Sequence, residues 1–333
     1  MHDLGKGRIL VTGGAGFIGS ALIRHLNELG HTNILATDFL GTDDKFLNLV
    51  PLRYDDYAEG DDFLERLRAT PSAFSDIRTV FHLGACSATT EKDARYLIRN
   101  NYEYTKTLAE WALSIGARFV YASSAATYGD GAQGMDDKLE DLSVLRPLNM
   151  YGYSKHLFDV YAKRRGMLDH LVGLKFFNVY GPNENHKGGM VSMVYRAYHQ
   201  IRQDGKVRLF RSDRPDYRDG EQMRDFVYVK DAVKMAVFLA KNPEAGGLYN
   251  IGSGQARTWL DLMRAIFKAL ELPVNIEFIE MPTELKAKYQ YFTEADIAKL
   301  RDAGYAEPQY TLEDAVADYV RNHLVTGRRL GDV

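Results

Sequence analysis

A tyrosine and a lysine four residues apart, in the run Tyr151-Gly152-Tyr153-Ser154-Lys155, are the side chains whose types and spacing bear most directly on chemistry. On a helix, positions i and i+4 share one face, so the ammonium would stand near the phenol. A free tyrosine titrates near about 10, and a neighbouring cation favours the phenolate. The pair therefore reads as a general base able to take a proton from an alcohol. Ser124, in Ser123-Ser124-Ala125-Ala126-Thr127-Tyr128-Gly129, follows an expected strand. The carboxyl ends of parallel strands are where open α/β sheets bind ligands, which suits its hydroxyl to orienting the reacting alcohol. Neither feature is specific alone. A Tyr and a Lys at this spacing are common by chance, and a loop serine often bonds its own backbone.

The elements that would position these groups begin with Thr12-Gly13-Gly14-Ala15-Gly16-Phe17-Ile18-Gly19, which follows an expected first strand and opens a helix running towards Gly30. The glycines Gly13, Gly16 and Gly19 form a GxxGxxG fingerprint. Glycine lets the backbone turn tightly and approach a pyrophosphate, while the helix N-terminus favours the anion. Asp38 lies at the end of the second expected strand, where an acidic side chain accepts hydrogen bonds from the adenosine ribose. An Asp there disfavours a 2'-phosphate and Lys45 close by would neutralise one, so these residues leave NAD and NADP open. With a dinucleotide site upstream, Lys155 also becomes a candidate to bond the nicotinamide ribose.

Short Val- and Ile-rich runs alternate with helical patterns through the first half, as buried parallel strands and their crossover helices do. Strands are expected at Arg8 to Thr12, Asn33 to Asp38, Thr79 to Leu83, Phe119 to Ser123 and Val172 to Phe177. The fold class is thus α/β, a doubly wound parallel Rossmann sheet with a smaller mixed α/β substrate domain. Residues 1–177 form the dinucleotide-binding domain, with 226–250 returning to it, and 178–225 with 251–333 form the substrate domain. In the second half, Thr258/Asp261, Thr293/Asp296 and Thr311/Asp314 have capping-box spacing and mark helix starts.

Composition closes off other classes of function. The chain has 333 residues, a formal net charge of -3, 45% hydrophobic and 26% charged residues. It can bury a large core and offers no general attraction for nucleic acid. One cysteine, Cys86, admits neither an internal disulfide nor a thiolate cluster, so a reducing, cytoplasmic setting is expected. No apolar run approaches the roughly 18 residues that span a bilayer, and no signal peptide is visible. The nine histidines show no HExxH pairing, so no metal site is expected, and no GxSxG elbow is present.

Taken together, TGGAGFIGS, FHLGACSATTE, YASSAATYG, PLNMYGYSK, FFNVYGPNENHKGGM and RDFVYVKD resemble the extended short-chain dehydrogenase/reductases. Within them, the chain is similar to the ADP-L-glycero-D-manno-heptose 6-epimerase family. The resemblance runs from about Arg8 to the C-terminal helix. FHLGACSATTE, SSAATYG and NENHKGGM discriminate within the superfamily better than the shared fingerprint does. It implies a redox-neutral isomerase of lipopolysaccharide inner-core synthesis, with NADP bound, acting on a nucleotide sugar. In this family the C6 alcohol is oxidised to a ketone and the hydride returns to the other face. A homo-oligomer, pentameric in the family, is implied as well.

Carried across by position, the resemblance makes Tyr151 and Lys187 the two acid/base residues and Ser124 and Asn178 substrate contacts. Cofactor positions fall on Phe17, Ile18, Asp38, Phe39, Lys45, Leu83, Gly84, Ala85, Cys86, Ser87, Asn100, Lys155 and Val179. Substrate positions fall on Gly189, Arg196, Phe210, Arg211, Ser212, Asp213, Arg224 and Tyr289, with Arg224 suited to a bidentate grip on the diphosphate. Phe39 and Gly60 stand where the family has Asn and a phosphate-binding Lys. Gly189 and Arg196 replace Ser and His, and the stretch from Arg211 to Arg224 is longer than the family pattern. The rival readings are another nucleotide-sugar epimerase or a dehydratase, and a catalytically dead NADP-binding protein. Ala125 and Ala126 beside Ser124 disfavour a dehydratase, which needs an acidic pair there. The presence of Tyr151, Lys155 and Lys187 argues against the inert protein.

Overall fold

The computed structural model describes residues 1–286 and 289–332. Its first half runs β1 (Arg8–Thr12), α1 (Phe17–Glu28), β2 (Ile34–Asp38), β3 (Asp56–Glu59), α2 (Gly60–Ala69) and β4 (Ile77–His82). Then α3 (Ala94–Leu97) continues through a wide turn at Ile98–Glu103 into α4 (Tyr104–Ser114), followed by β5 (Arg118–Ser124), α5 (Met150–Arg164) and β6 (Leu171–Phe176). The second half runs β7 (Asn178–Tyr180), α6 (Met193–Asp204), β8 (Val207–Phe210), β9 (Met223–Tyr228), α7 (Val229–Lys241) and β10 (Gly247–Ile251). It closes with β11 (Ala256–Thr258), α8 (Trp259–Ala269), β12 (Ile276–Ile279), α9 (Thr283–Lys286), α10 (Ala298–Asp302) and α11 (Leu312–Asp318).

Seven strands form one sheet in the order β10-β6-β5-β4-β1-β2-β3, every pairing parallel. All five expected strands are in it, their bounds within two residues of the reading above. Two were not foreseen. β3 reads Asp-Tyr-Ala-Glu with a single buried residue, because an edge strand need not be apolar. β10 lies in the 226–250 segment expected to return and extends the opposite edge. β9, which opens that segment, instead pairs with β7 and β11 in a separate three-stranded sheet, and β8 with β12 forms a third.

The central strands are almost wholly buried because helices cover both faces. On one face α1 and α7 pack Leu22, Leu26, Val233 and Met235 against Val11 and Val120. On the other, α4 and α5 bring Leu108, Ala112, Phe158 and Ala162 against Val80 and Phe119. The order in which strands are added reverses beside β1, with β2 and β3 on one side and β4 on the other. That is the switch point at which such sheets bind ligands.

The capping spacings divide. Thr258 and Asp261 form a full reciprocal capping box on α8, and Thr311 caps α11. Thr293 caps nothing: it is buried, and its hydroxyl contacts the Asn178 amide and the Asp225 N–H. α10 starts further on, after Ile297. The spacing was satisfied there, but a tertiary partner took the hydroxyl. Gly19 illustrates how close the packing is at the switch point, since a Cβ on it would fall 1.9 Å from the Gly13 carbonyl oxygen. Gly19→Ala should lower stability by about 1–3 kcal/mol, the range for overpacking. The urea midpoint checks it, and an unchanged midpoint would mean that α1 slides along β1 without cost.

Candidate active site

The turn after β1 is built around Gly13, whose φ of 69° lies in the left-handed region. A Cβ at Gly13 would sit 2.7 Å from the Gly84 amide nitrogen, so the ends of β1 and β4 touch backbone to backbone. α1 begins after Gly16 with no side-chain cap. Its first N–H groups are thus left to an anion from outside, and the residues present fit a dinucleotide pyrophosphate. Asp38, 9% exposed, ties the turn together: Oδ2 accepts from the Ala15 and Gly16 N–H groups at 2.9 and 3.0 Å. Its Oδ1 accepts from the Phe39 N–H and, at 3.1 Å, from the Lys45 ammonium. Lys45 is therefore paired with the Asp38 carboxylate rather than solvated. The Phe39 ring lies on Gly60, where a Cβ would come within 2.5 Å of it.

The segment Leu83, Gly84, Ala85, Cys86 and Ser87 lines the carboxyl end of β4. Leu83 and Gly84 donate to the carbonyl and hydroxyl of Thr12. Cys86 is held at both its N–H and its C=O by the side chain of Asn101, which also donates to the Ser154 hydroxyl. Asn101 is fully buried, whereas Asn100 donates to the Tyr96 carbonyl one turn earlier. Sequence reasoning named the first asparagine and missed its neighbour, and adjacent Asn residues carry no signal for which of them turns inward.

Ser124 ends β5 and caps the short helical turn Ala125–Tyr128, its hydroxyl accepting from the Ala126 N–H at 3.1 Å. α5 starts after its cap Asn149 and approaches that turn closely, since a Cβ on Gly152 would lie 2.7 Å from the Ala126 carbonyl oxygen. A side chain at position 152 would hold the two apart. That approach brings Tyr151 towards Ser124: burial raises the Tyr151 phenol above its ordinary value, and the Ser124 side chain works against that rise. The Lys155 ammonium departs from expectation. It donates to the Ala122 carbonyl at 2.8 Å, and the Tyr151 phenol is not depressed by it. The buried strand carbonyl is the acceptor it reaches. Burial instead lowers Lys155 itself to about 8.

Lys187 sits in the tight loop 185–190 with its ammonium 5.1 Å above the Phe17 ring, over the start of α1. Burial lowers its pKa, and the Glu184 carboxylate acts in the opposite direction. Glu184, itself fully buried, takes hydrogen bonds from the backbone and hydroxyl of Ser192 and from the Tyr319 hydroxyl, which anchors the loop. It was not singled out from the sequence, although it stands in the NENHKGGM run. Gly189 and Arg196 belong to the same corner, the guanidinium donating to the Gly189 carbonyl at 2.8 Å beside a cavity of about 650 Å³.

On the opposite side, Asn178 donates to the Asp225 carbonyl at 3.1 Å, and Val179 is paired in β7. Arg224 lies between the rings of Trp259 and Tyr289, 5.7 and 5.3 Å from their centroids, and donates to the Met223 and Gln290 carbonyls. Its fork is thus partly engaged by backbone rather than wholly free for a diphosphate. Phe210 ends β8, and Arg211, Ser212 and Asp213 open the long loop. That loop closes on itself through Arg211–Asp219 at 2.9 Å and Ser212 N–H to Asp219, and is tied to α9 through Lys286–Asp213.

A parallel sheet with a pyrophosphate-binding turn, and a Tyr/Lys helix beside a strand-end serine, define a nicotinamide-dependent α/β enzyme. Residues 9–252 match the NAD dependent epimerase/dehydratase family, and the chain belongs to it. It is 53% identical over 315 residues to the ADP-L-glycero-D-manno-heptose-6-epimerase of Nitratidesulfovibrio vulgaris strain Hildenborough, covering 95% of this chain and 97% of that protein. Among solved structures it resembles the Helicobacter pylori enzyme of the same name, with TM-score 0.78, 30% identity and 97% and 98% of the two chains covered. It also resembles a Bacillus cereus UDP-glucuronic acid 4-epimerase in complex with UDP-glucuronic acid and NAD, with TM-score 0.73, 27% identity and 95% and 99% covered. No helix among the described residues is long and apolar enough to cross a membrane.

The Lys155 value sets a pH dependence. A lysine lowered to about 8 is charged below that pH and loses its proton above it. If the ammonium is needed to orient cofactor and alcohol, kcat/KM should fall as pH rises through about 8. A plateau extending to pH 10 would show that its charge is not required.

Proposed function

We propose that the chain interconverts ADP-D-glycero-D-manno-heptose and ADP-L-glycero-D-manno-heptose by inverting C6. The observation that carries this reading is a second buried amine beside the glycine turn, Lys187 above Phe17 at the start of α1. Inversion through a ketone needs proton transfer at both faces, and one fixed base serves only one of them. The strong sequence likeness to 6-epimerases supports C6 as the centre.

A bound nicotinamide supplies hydride acceptance and return at the same carbon, so the reaction is redox-neutral. Around it, Tyr151 exchanges the alcohol proton on one face with the Ser124 hydroxyl orienting the alcohol, and Lys187 does so on the other. Lys155 holds the nicotinamide ribose, and Asn178 steadies the sugar. Gly13, Gly16, Phe17, Ile18 and Gly19 hold the pyrophosphate, and Asp38 faces the adenosine ribose. Phe210, Arg211, Ser212, Asp213, Arg224 and Tyr289 receive the ADP, and Gly189 and Arg196 border the sugar. The dinucleotide proposed is NADP, because Lys45 offsets the Asp38 charge beside a 2'-phosphate. NAD is the competing choice, since Phe39 lies on Gly60, where a phosphate-binding Lys was expected, and the carboxylates Asp61 and Asp62 stand in the first turn of α2. The working form is a homo-oligomer, a pentamer by family resemblance.

A related nucleotide sugar as substrate is the second reading, favoured by the self-paired Arg211 to Arg224 loop, in which Arg214 covers the rings of Tyr217 and Tyr291. Purified protein incubated with ADP-D-glycero-D-manno-heptose and no added cofactor should shift the C6 epimer ratio towards equilibrium, followed by NMR. No shift after adding NADP or NAD selects the second reading. Tyr151→Phe and Lys187→Ala should each slow the conversion at least about 100-fold, the low end for a lost acid/base group. Full activity in Lys187→Ala would remove the two-base mechanism.

A further inference from the structure

Directly beneath the catalytic face lies an ion pair with almost no access to water. Lys175 on β6 is 1% exposed, and Asp159 on α5, one helical turn beyond Lys155, is 0% exposed; Nζ and Oδ2 are 3.0 Å apart. Asp159 also accepts hydrogen bonds from the Tyr121 hydroxyl at 2.9 Å and the Ser123 hydroxyl at 2.7 Å. The Lys175 ammonium donates to the Thr127 hydroxyl at 2.5 Å and lies 4.8 Å over the Tyr128 ring. Thr127 in turn donates to the Ser124 carbonyl at 2.8 Å. The pair therefore reaches the Ser124 turn from below by two routes, through Ser123 on the strand and Thr127 on the turn.

We propose that Asp159 and Lys175 are positioning residues for the reaction. Together they lock the turn that presents Ser124, and Asp159 places a fixed negative charge along α5 from the Lys155 ammonium. Burial of an ion pair is a poor route to stability, because desolvation offsets most of the attraction and a well-packed apolar pair of similar volume often serves as well. A hydrogen-bonded pair kept at this depth, touching both sides of Ser124, is better explained by what it orients. The charges around Lys155 agree. Among the described groups, Asp159 on its own helix and Cys86 on the loop after β4 favour its ammonium, whereas burial opposes it. His82 on β4 is held neutral by burial and by Lys155, and Tyr151 on α5 is an undissociated phenol. Lys175 and His156 face Asp159 rather than Lys155. Asp159 is thus the one carboxylate acting on Lys155.

This inference rests on the roles proposed above for Ser124, Tyr151 and Lys155, so Tyr151→Phe and Lys155→Met are measured alongside. If those two remain fully active, the site assignment fails rather than this proposal. The double variant Asp159→Asn/Lys175→Met removes the pair without leaving a buried charge. With folding checked by circular dichroism, its alkaline limb of kcat/KM should move down by up to about one pH unit, the scale for losing one nearby opposite charge, reduced by the loss of the Lys175 charge beside it. Lys175→Arg alone, which keeps both charges of the pair, should keep the wild-type limb. A folded double variant with the wild-type limb overturns the proposal. Thr127→Val keeps both charges and the side-chain shape but removes the hydroxyl that links Lys175 to the Ser124 carbonyl, and should lower kcat about tenfold with KM unchanged. Wild-type kcat in Thr127→Val overturns the proposal even where the double variant does not fold.

Discussion

The rest of the molecule depends on how closely backbone approaches backbone where β1, α1 and β4 meet. Gly13, Gly19 and Gly84 occupy one small volume, and a Cβ on Gly13 or Gly19 would fall within 3 Å of backbone atoms. Removing those side chains lets α1 begin at once after the strand, so that its N-terminus points across the switch point. The Asp38 carboxylate then binds the end of β2 to the same turn through two N–H groups. Three strands and a helix are fastened at one spot. Every other candidate group is placed relative to it: Asn101 grips the neighbouring Cys86 loop, and Lys187 rests on Phe17.

Around this anchor the protein keeps several cations out of water. Lys155 and Lys187 are each lowered by burial, and each has one carboxylate opposing the shift, Asp159 and Glu184 respectively. For Lys187, proposed as the second acid/base group, a proton held less tightly is better matched to exchange with an alcohol and a ketone near neutral pH. Arg224 is treated differently. It is covered by two aromatic rings and bonded to carbonyls, an arrangement that suits a permanently charged, planar group holding a shape.

Much of this was legible in the chain as written. The five buried strands stood out because parallel strands covered on both faces are continuous apolar runs. β3 did not, because its two ends face solvent at the sheet edge. The capping residues at Thr258 and Thr311 followed from local spacing, whereas Thr293 obeyed the same spacing and was diverted by Asn178 and Asp225, which are distant in sequence. Asn101 and Glu184 were silent for the same reason: each satisfies a loop whose shape exists only after the strands have paired.

The sequence by itself determined the glycine pattern after β1, the Asp at the end of β2 and the Tyr/Lys pair one helical turn apart, since these depend on steric freedom and on the 3.6-residue repeat. Those local rules reach a few residues along the chain, and they sufficed for the α/β class and the dinucleotide turn. Tertiary structure alone decided that Lys155 bonds a strand carbonyl rather than the phenol, that Lys45 pairs with Asp38, and that Phe39 lies on Gly60. It also decided which charges are buried. The reason is physical: an ammonium's partner and proton affinity are set by the solvent and dipoles around it, and those come from strands and helices far apart in the chain.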